Sequence, residues 1–157
     1  GSLVQAVDAV RAARQSHWFP SVTKQAIGAV FHTGGNEDCH IILRGGSRSG
    51  PNYGSDSVHK AAELLEAAGV PARVMIDCSH GNSSKDYRKQ GGVLTDIGKQ
   101  VRDGSKAIMG FMLESNLVEG RQDAVQGQPL IYGQSITDGC ISFEETEKIV
   151  LEFAASI

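Results

Sequence analysis

The stretch Val74-Met75-Ile76-Asp77-Cys78-Ser79-His80-Gly81-Asn82-Ser83-Ser84-Lys85 constrains the fold of this chain more than any other. An apolar run of strand length stops abruptly in a cluster of small and polar residues. Short apolar runs bounded by turn signals read as buried strands of a parallel sheet. Asn82-Ser83-Ser84 then reads as N-cap chemistry for a helix, so His80 stands where a buried strand hands over to a helix. In parallel α/β folds, ligands bind at that end of the strand. Arg44, Glu114 and Asp138 stand at three other strand-to-loop junctions, and this convergence is the main functional clue.

The rest of the chain alternates in the same manner. Residues 2–15 read as an amphipathic helix, with Leu3, Val7 and Val10 on one side and Ser2 as N-cap. His17-Trp18-Phe19-Pro20 breaks the pattern, and residues 21–33 read as an extended pair or hairpin. A short buried strand spans 40–44. A helix over 56–68 is stopped by Gly69, and a polar helix covers 83–102. Ala107–Leu113 is a third strand, a long loop runs from Ser115 to Gly139, and a helix closes the chain over 143–155. Strands alternating with helices imply a parallel sheet built of βαβ units. A closed (β/α)8 barrel needs eight strands and about 250 residues, so three clear strands imply a small open sheet or about half a barrel.

Composition narrows the function classes. At 157 residues the chain suffices for one domain with a real core. Its net charge of −3, with basic residues scattered among acids, excludes the basic footprint of a nucleic-acid binder. No apolar run approaches a membrane span, and the opening residues are not a signal peptide. They enter a helix at once and read as a cut inside a fold. Cys39, Cys78 and Cys140 are odd in number and have no CxxC spacing, which points to a reducing, cytoplasmic setting.

His80, Glu114 and Asp138 form a mixed nitrogen and oxygen set suited to a borderline divalent metal such as Mn, Fe, Co or Zn. Each has an ordinary alternative: a hydrogen-bonding histidine, a paired carboxylate, a turn-capping aspartate. By spacing alone, those alternatives outweigh the metal. Arg44, followed by Gly45-Gly46, offers a guanidinium beside backbone N–H groups, which suits phosphate or carboxylate. A buried ion pair with Asp77 or Glu114 would explain it equally well. Cys78 and Cys140 read as core-packing thiols, and strand parity places Cys78 on the same side as His80. The remaining histidines, His17, His32, His40 and His59, read as surface or structural.

Six blocks together resemble the class I DAHP synthases (3-deoxy-D-arabino-heptulosonate 7-phosphate synthase). They are Ser21-Val22-Thr23-Lys24, Gly35 through Gly46 with Ile41-Ile42-Leu43-Arg44, Pro51-Asn52-Tyr53, Met75 through Lys85, Glu114 through Gly120, and Tyr132 through Asp138. The resemblance runs in order over essentially the whole chain. It implies that residues 1–157 are the C-terminal part of a (β/α)8 TIM barrel, beginning after the fifth strand, with a β-hairpin inserted at about 19–35. It implies condensation of phosphoenolpyruvate with D-erythrose 4-phosphate around a divalent metal held by His80, Glu114, Asp138 and a cysteine that none of the three here matches. By the same resemblance Arg44 and His80 are catalytic, and Arg44, His80 and Asp138 touch substrate. Phe19 and Ser21 fall on an aromatic-amino-acid feedback pocket, where Phe31 is unexpectedly bulky. A homo-oligomer is expected. The rival reading is a non-catalytic fragment, acting as an aromatic-amino-acid-binding or interaction module. A different metal-dependent aldolase, lacking Arg44 near the ligands, is a third.

Overall fold

The computed structural model describes residues 2–157. Helix α1 (Leu3–Ala13) leads into a hairpin, β1 (His17–Val22) and β2 (Gly28–Thr33). Strand β3 (Ile41–Leu43), helix α2 (Ser55–Ala67), strand β4 (Val74–Asp77), helix α3 (Gln90–Arg102) and strand β5 (Ile108–Met112) follow. Short strands β6 (Ser115–Asn116), β7 (Val118–Arg121), β8 (Gln134–Ser135) and β9 (Ile141–Ser142) precede helix α4 (Phe143–Ser156).

Strands β3, β4 and β5 form a parallel sheet in that order, with Leu43 opposite Ile76 and Ile76 opposite Phe111. Side chains alternate across a strand, so Ile41, Leu43, Val74 and Ile76 share one face. All four are buried, in one core with Val58, Ala61 and Leu65 of α2, Val93, Leu94 and Ile97 of α3, and Val7 and Val10 of α1. Each Leu, Ile or Val so buried contributes about 1.5–3 kcal/mol. The opposite face carries Ile42, Met75, Asp77 and Met112; Ile42 and Met112 remain 44% and 37% exposed. Helices α1, α2 and α3, with Ile149 and Phe153 of α4, therefore cover one face of the sheet, and the other face is open. No helix of the described residues is long and apolar enough to cross a membrane.

The helix ends follow local chemistry. Helix α2 stops in a Schellman motif: Val70 N–H donates to Leu65 O and Gly69 N–H to Glu66 O, with Gly69 at φ +68°. Helix α4 starts on Ser142, whose side chain accepts from Glu145 N–H at 3.1 Å. Ser2 holds the cap position of α1 but makes no side-chain cap bond.

Four expectations need correction. The hairpin spans His17–Thr33, and Pro20 lies inside β1 opposite Val30. A two-stranded ribbon has two open edges, where a proline forfeits no ladder hydrogen bond. The helix expected from residue 83 starts at Gln90, after a 3-10 turn at Tyr87–Lys89 capped by Asp86. Asn82 instead spans strands, donating to Leu43 O at 2.9 Å and Asp77 O at 2.8 Å. The loop from Ser115 is pinned by parallel bridges, β6 to β9 and β7 to β8. Cys78 packs in the core beside Val74 and Ile76, not on the His80 side. The backbone leaves extended geometry at His80 (φ +48°), so strand parity does not carry through.

Candidate metal centre

The site is built on the end of β4. Asp77, its last residue, is 4% exposed and uses both carboxylate oxygens. Oδ1 accepts from Ser79 N–H at 2.8 Å, and Oδ2 lies 2.8 Å from His80 Nδ1. The contact at Nδ1 sets the tautomer and leaves Nε2 as the free ring nitrogen. Nε2 faces Glu114 Oε1 at 3.3 Å and Asp138 Oδ2 at 4.0 Å. Ligand atoms of His80, Glu114 and Asp138 all lie within 4.8 Å of one another. A pocket joins these three to Ser79, Lys85, Tyr87 and Gly139.

Glu114 follows β5 and is held from two directions. Ser79 Oγ donates to its Oε2 at 2.6 Å. The Gln90 carboxamide pairs with its backbone: Nε2 donates to Glu114 O at 3.0 Å, and Glu114 N–H donates to Oε1 at 2.8 Å. Asp138 is the most exposed member, at 61% of its side chain. The turn around it is capped by Ser135 Oγ, which accepts from Thr137 N–H at 3.2 Å, so Asp138 is not the capping residue. Gly139 lies under the Tyr87 ring, where an added Cβ would stand 2.6 Å from Cδ1.

The turn after β3 is locked to the turn after β4. Arg44 O accepts from Gly81 N–H at 3.0 Å and Asn82 N–H at 3.2 Å. The backbones touch: a Cβ on Gly81 would lie 2.3 Å from Gly46 N, and one on Gly45 would lie 2.6 Å from the Gly81 carbonyl carbon. The Arg44 side chain is exposed and pairs with no carboxylate among the described residues. That sets aside the buried pair with Asp77 or Glu114 and leaves an exposed cation on the turn tied to that of His80.

The remaining sequence candidates are placed as follows. Phe19 and Ser21 lie two residues apart on β1, hence on one face of the hairpin, and the Phe19 ring stacks on Phe31 at 6.1 Å. Burial, with the Asp77 charge adding, pushes the Cys78 thiol up to about 12. Burial also pushes the Cys140 thiol up. His17 contacts Ala12 O at 2.7 Å, His40 contacts Asp38 O at 3.4 Å, His59 faces Glu63 at 3.2 Å, and His32 stacks on Trp18. Sequence reasoning missed Ser79 and Gln90. Ser79 was hidden in a turn, and Gln90 inside a polar run with no period to single it out. A cavity of about 520 Å³ between α3 and α4 gathers no metal-ligating set among the described residues.

The chemistry of the donor set can be compared with what a cation needs. Two carboxylates face one imidazole nitrogen, an arrangement that a cation between them would stabilise. One nitrogen and two oxygens suit a borderline divalent metal.

The sequence model of the DAHP synthetase I family matches residues 2–151. The chain belongs to that family. Family relatives include a Phe-sensitive phospho-2-dehydro-3-deoxyheptonate aldolase of Escherichia coli (strain K12), 49% identical over 157 residues, which are 100% of this chain and 44% of that protein. A Trp-sensitive aldolase of the same name from Enterobacter agglomerans is 45% identical over 157 residues, again 100% of this chain and 44% of its own. Among solved structures, the phospho-2-dehydro-3-deoxyheptonate aldolase of Francisella tularensis SCHU S4 superposes with a TM-score of 0.92 at 48% identity. That superposition covers 100% of this chain and 45% of the other. The chain thus spans less than half the length of these family members.

Proposed function

We propose that this chain is the C-terminal part of a (β/α)8 barrel in a metal-dependent DAHP synthase, with the β1–β2 hairpin as an insertion. The reaction is condensation of phosphoenolpyruvate with D-erythrose 4-phosphate, with release of phosphate, at the entry to aromatic amino-acid biosynthesis. The carrying observation is the convergence of His80, Glu114 and Asp138 in a chain of this family.

The geometry supports the following roles. His80, Glu114 and Asp138 hold a divalent ion (Mn, Fe, Co or Zn), which supplies Lewis-acid polarisation of the aldehyde oxygen. Asp77 orients the His80 ring. Arg44, exposed and unpaired, holds the phosphate or carboxylate of phosphoenolpyruvate. The tie between the Arg44 and His80 turns keeps the anion site and the ligand set at a fixed separation. His80 and Asp138, bordering the pocket, also face substrate. The family resemblance supports a fourth, cysteine ligand and further cationic contacts outside residues 1–157. The Phe19–Phe31 face of the hairpin is the proposed seat of an aromatic amino-acid effector, in keeping with the Phe- and Trp-sensitive relatives. A homo-oligomer is the proposed assembly. Three free cysteines support a cytoplasmic setting.

The test is phosphate release with both substrates and Mn²⁺, with metal content measured in parallel. The 157-residue chain alone gives negligible turnover, because well-oriented groups supply about 7–11 kcal/mol of barrier lowering and an incomplete site forfeits much of it. Supplying the remaining family segment, in one chain or by co-expression, restores turnover. In that protein His80→Ala abolishes metal retention and activity, whereas Arg44→Ala raises the phosphoenolpyruvate KM and lowers kcat with the metal retained. Full activity in His80→Ala refutes the ligand assignment. Robust turnover by the chain alone refutes the account of what is missing. Aromatic amino-acid binding without turnover in the restored protein favours the non-catalytic module.

A further inference from the structure

Glu114 has two oxygens, and the fold treats them differently. Oε1 faces His80 Nε2 at 3.3 Å, and Oε2 accepts from Ser79 Oγ at 2.6 Å. Ser79 is itself fixed, since its N–H donates to Asp77 Oδ1 at 2.8 Å and it is only 4% exposed. Asp77 therefore orients both residues that meet Glu114: His80 at one oxygen and Ser79 at the other. The backbone of Glu114 is fixed separately by Gln90, which is wholly buried and spends its whole carboxamide on that residue. Two hydrogen bonds from a side chain to one residue's N–H and C=O reproduce what a neighbouring strand would give, at the point where β5 ends.

We infer that Ser79 and Gln90 are positioning residues that present Glu114 to the cation through Oε1 alone, and that Ser79 thereby sets which cation the site prefers. This rests on the metal reading of His80, Glu114 and Asp138. The chemistry is that of carboxylate denticity. Calcium takes six to eight oxygens and uses bidentate carboxylates, whereas smaller borderline ions accept few ligands in fixed positions. A glutamate with one oxygen occupied by a hydroxyl donor contributes a single ligand atom. That favours ions such as Co²⁺ and Zn²⁺ over Ca²⁺. Partners of this kind, one step removed from the ion, are worth about 10–100-fold in metal affinity when removed.

The experiment measures Co²⁺ and Ca²⁺ dissociation constants of the restored protein, with the remaining family segment supplied, by competition with a chromophoric chelator, for the parent, Ser79→Ala, Gln90→Met, Ile97→Val and His80→Ala. Ser79→Ala is expected to weaken Co²⁺ about 10–100-fold and to lower the ratio of Co²⁺ to Ca²⁺ affinity, because Oε2 is released. Gln90→Met is expected to weaken both ions. Ile97→Val, a core change on the same helix as Gln90, is expected to lower Tm with both affinities unchanged. The ratio of affinities is blind to a general loss of stability, so a merely structural serine would leave it unmoved. An unchanged ratio in Ser79→Ala, with His80→Ala losing the metal, overturns the inference and leaves the metal reading standing. No Co²⁺ binding by the parent overturns both. If Gln90→Met does not fold, the Ser79→Ala ratio decides alone.

Discussion

Cys78 shows how one buried atom links the core to solution behaviour. Its thiol is pushed from 9.0 up to about 12, first by burial and then by the Asp77 charge. The folded state therefore keeps the proton while the unfolded chain loses it. The contribution to stability is complete below pH 9.0 and drains away as pH rises from 9.0 towards about 12. Urea unfolding on both sides of pH 9.0 should show the parent losing more stability across that window than Cys78→Ala. A thiol reagent at neutral pH should label Cys39 and Cys140, both partly exposed, and reach Cys78 only on unfolding. At this scale the sequence marked out His80, Glu114 and Asp138, but spacing alone favoured their ordinary alternatives, and it took the family resemblance to group them. The sequence was not legible for Ser79 and Gln90, whose roles depend on which strand end lies opposite.

Among the elements, the decisive contact is the one between the turns after β3 and β4. Gly81→Ala would drive a methyl to 2.3 Å from the Gly46 nitrogen, a backbone atom with no rotamer to yield. The expected cost is about 1–3 kcal/mol, read from denaturant midpoints, with weaker metal retention because the displaced turn carries His80. The helix over 56–68 was legible because Val58, Ala61 and Leu65 repeat at helical spacing and Gly69 closes it. The late start of α3 was not, because Asn82 is drawn off to bridge Leu43 and Asp77. Pro20 misled for a similar reason: a proline argues against a strand only where a neighbour needs its N–H.

The whole molecule has one finished face and one open face. Helices cover Val74 and Ile76, while Ile42 and Met112 stay in contact with water and β3 and β5 end the sheet on either side. Unpaired edges and an uncovered apolar face favour self-association. Light scattering and sedimentation should find the 157-residue chain associated at micromolar concentration; a monomer with a cooperative thermal transition would contradict this. The alternation of strands and helices was readable because each strand is a short apolar run between turn residues. The open face was not, since no described segment covers Ile42 and Met112. The hairpin has one more consequence, and it is optical. The chain has a single tryptophan, Trp18, 70% exposed and stacked on His32 at 4.1 Å. Intrinsic fluorescence therefore watches the ribbon and is nearly deaf to the sheet, whereas circular dichroism is dominated by the helices. Two melting curves recorded together by these methods would separate at any temperature where the ribbon lets go before the core, turning one residue into a reporter of the order in which the molecule comes apart.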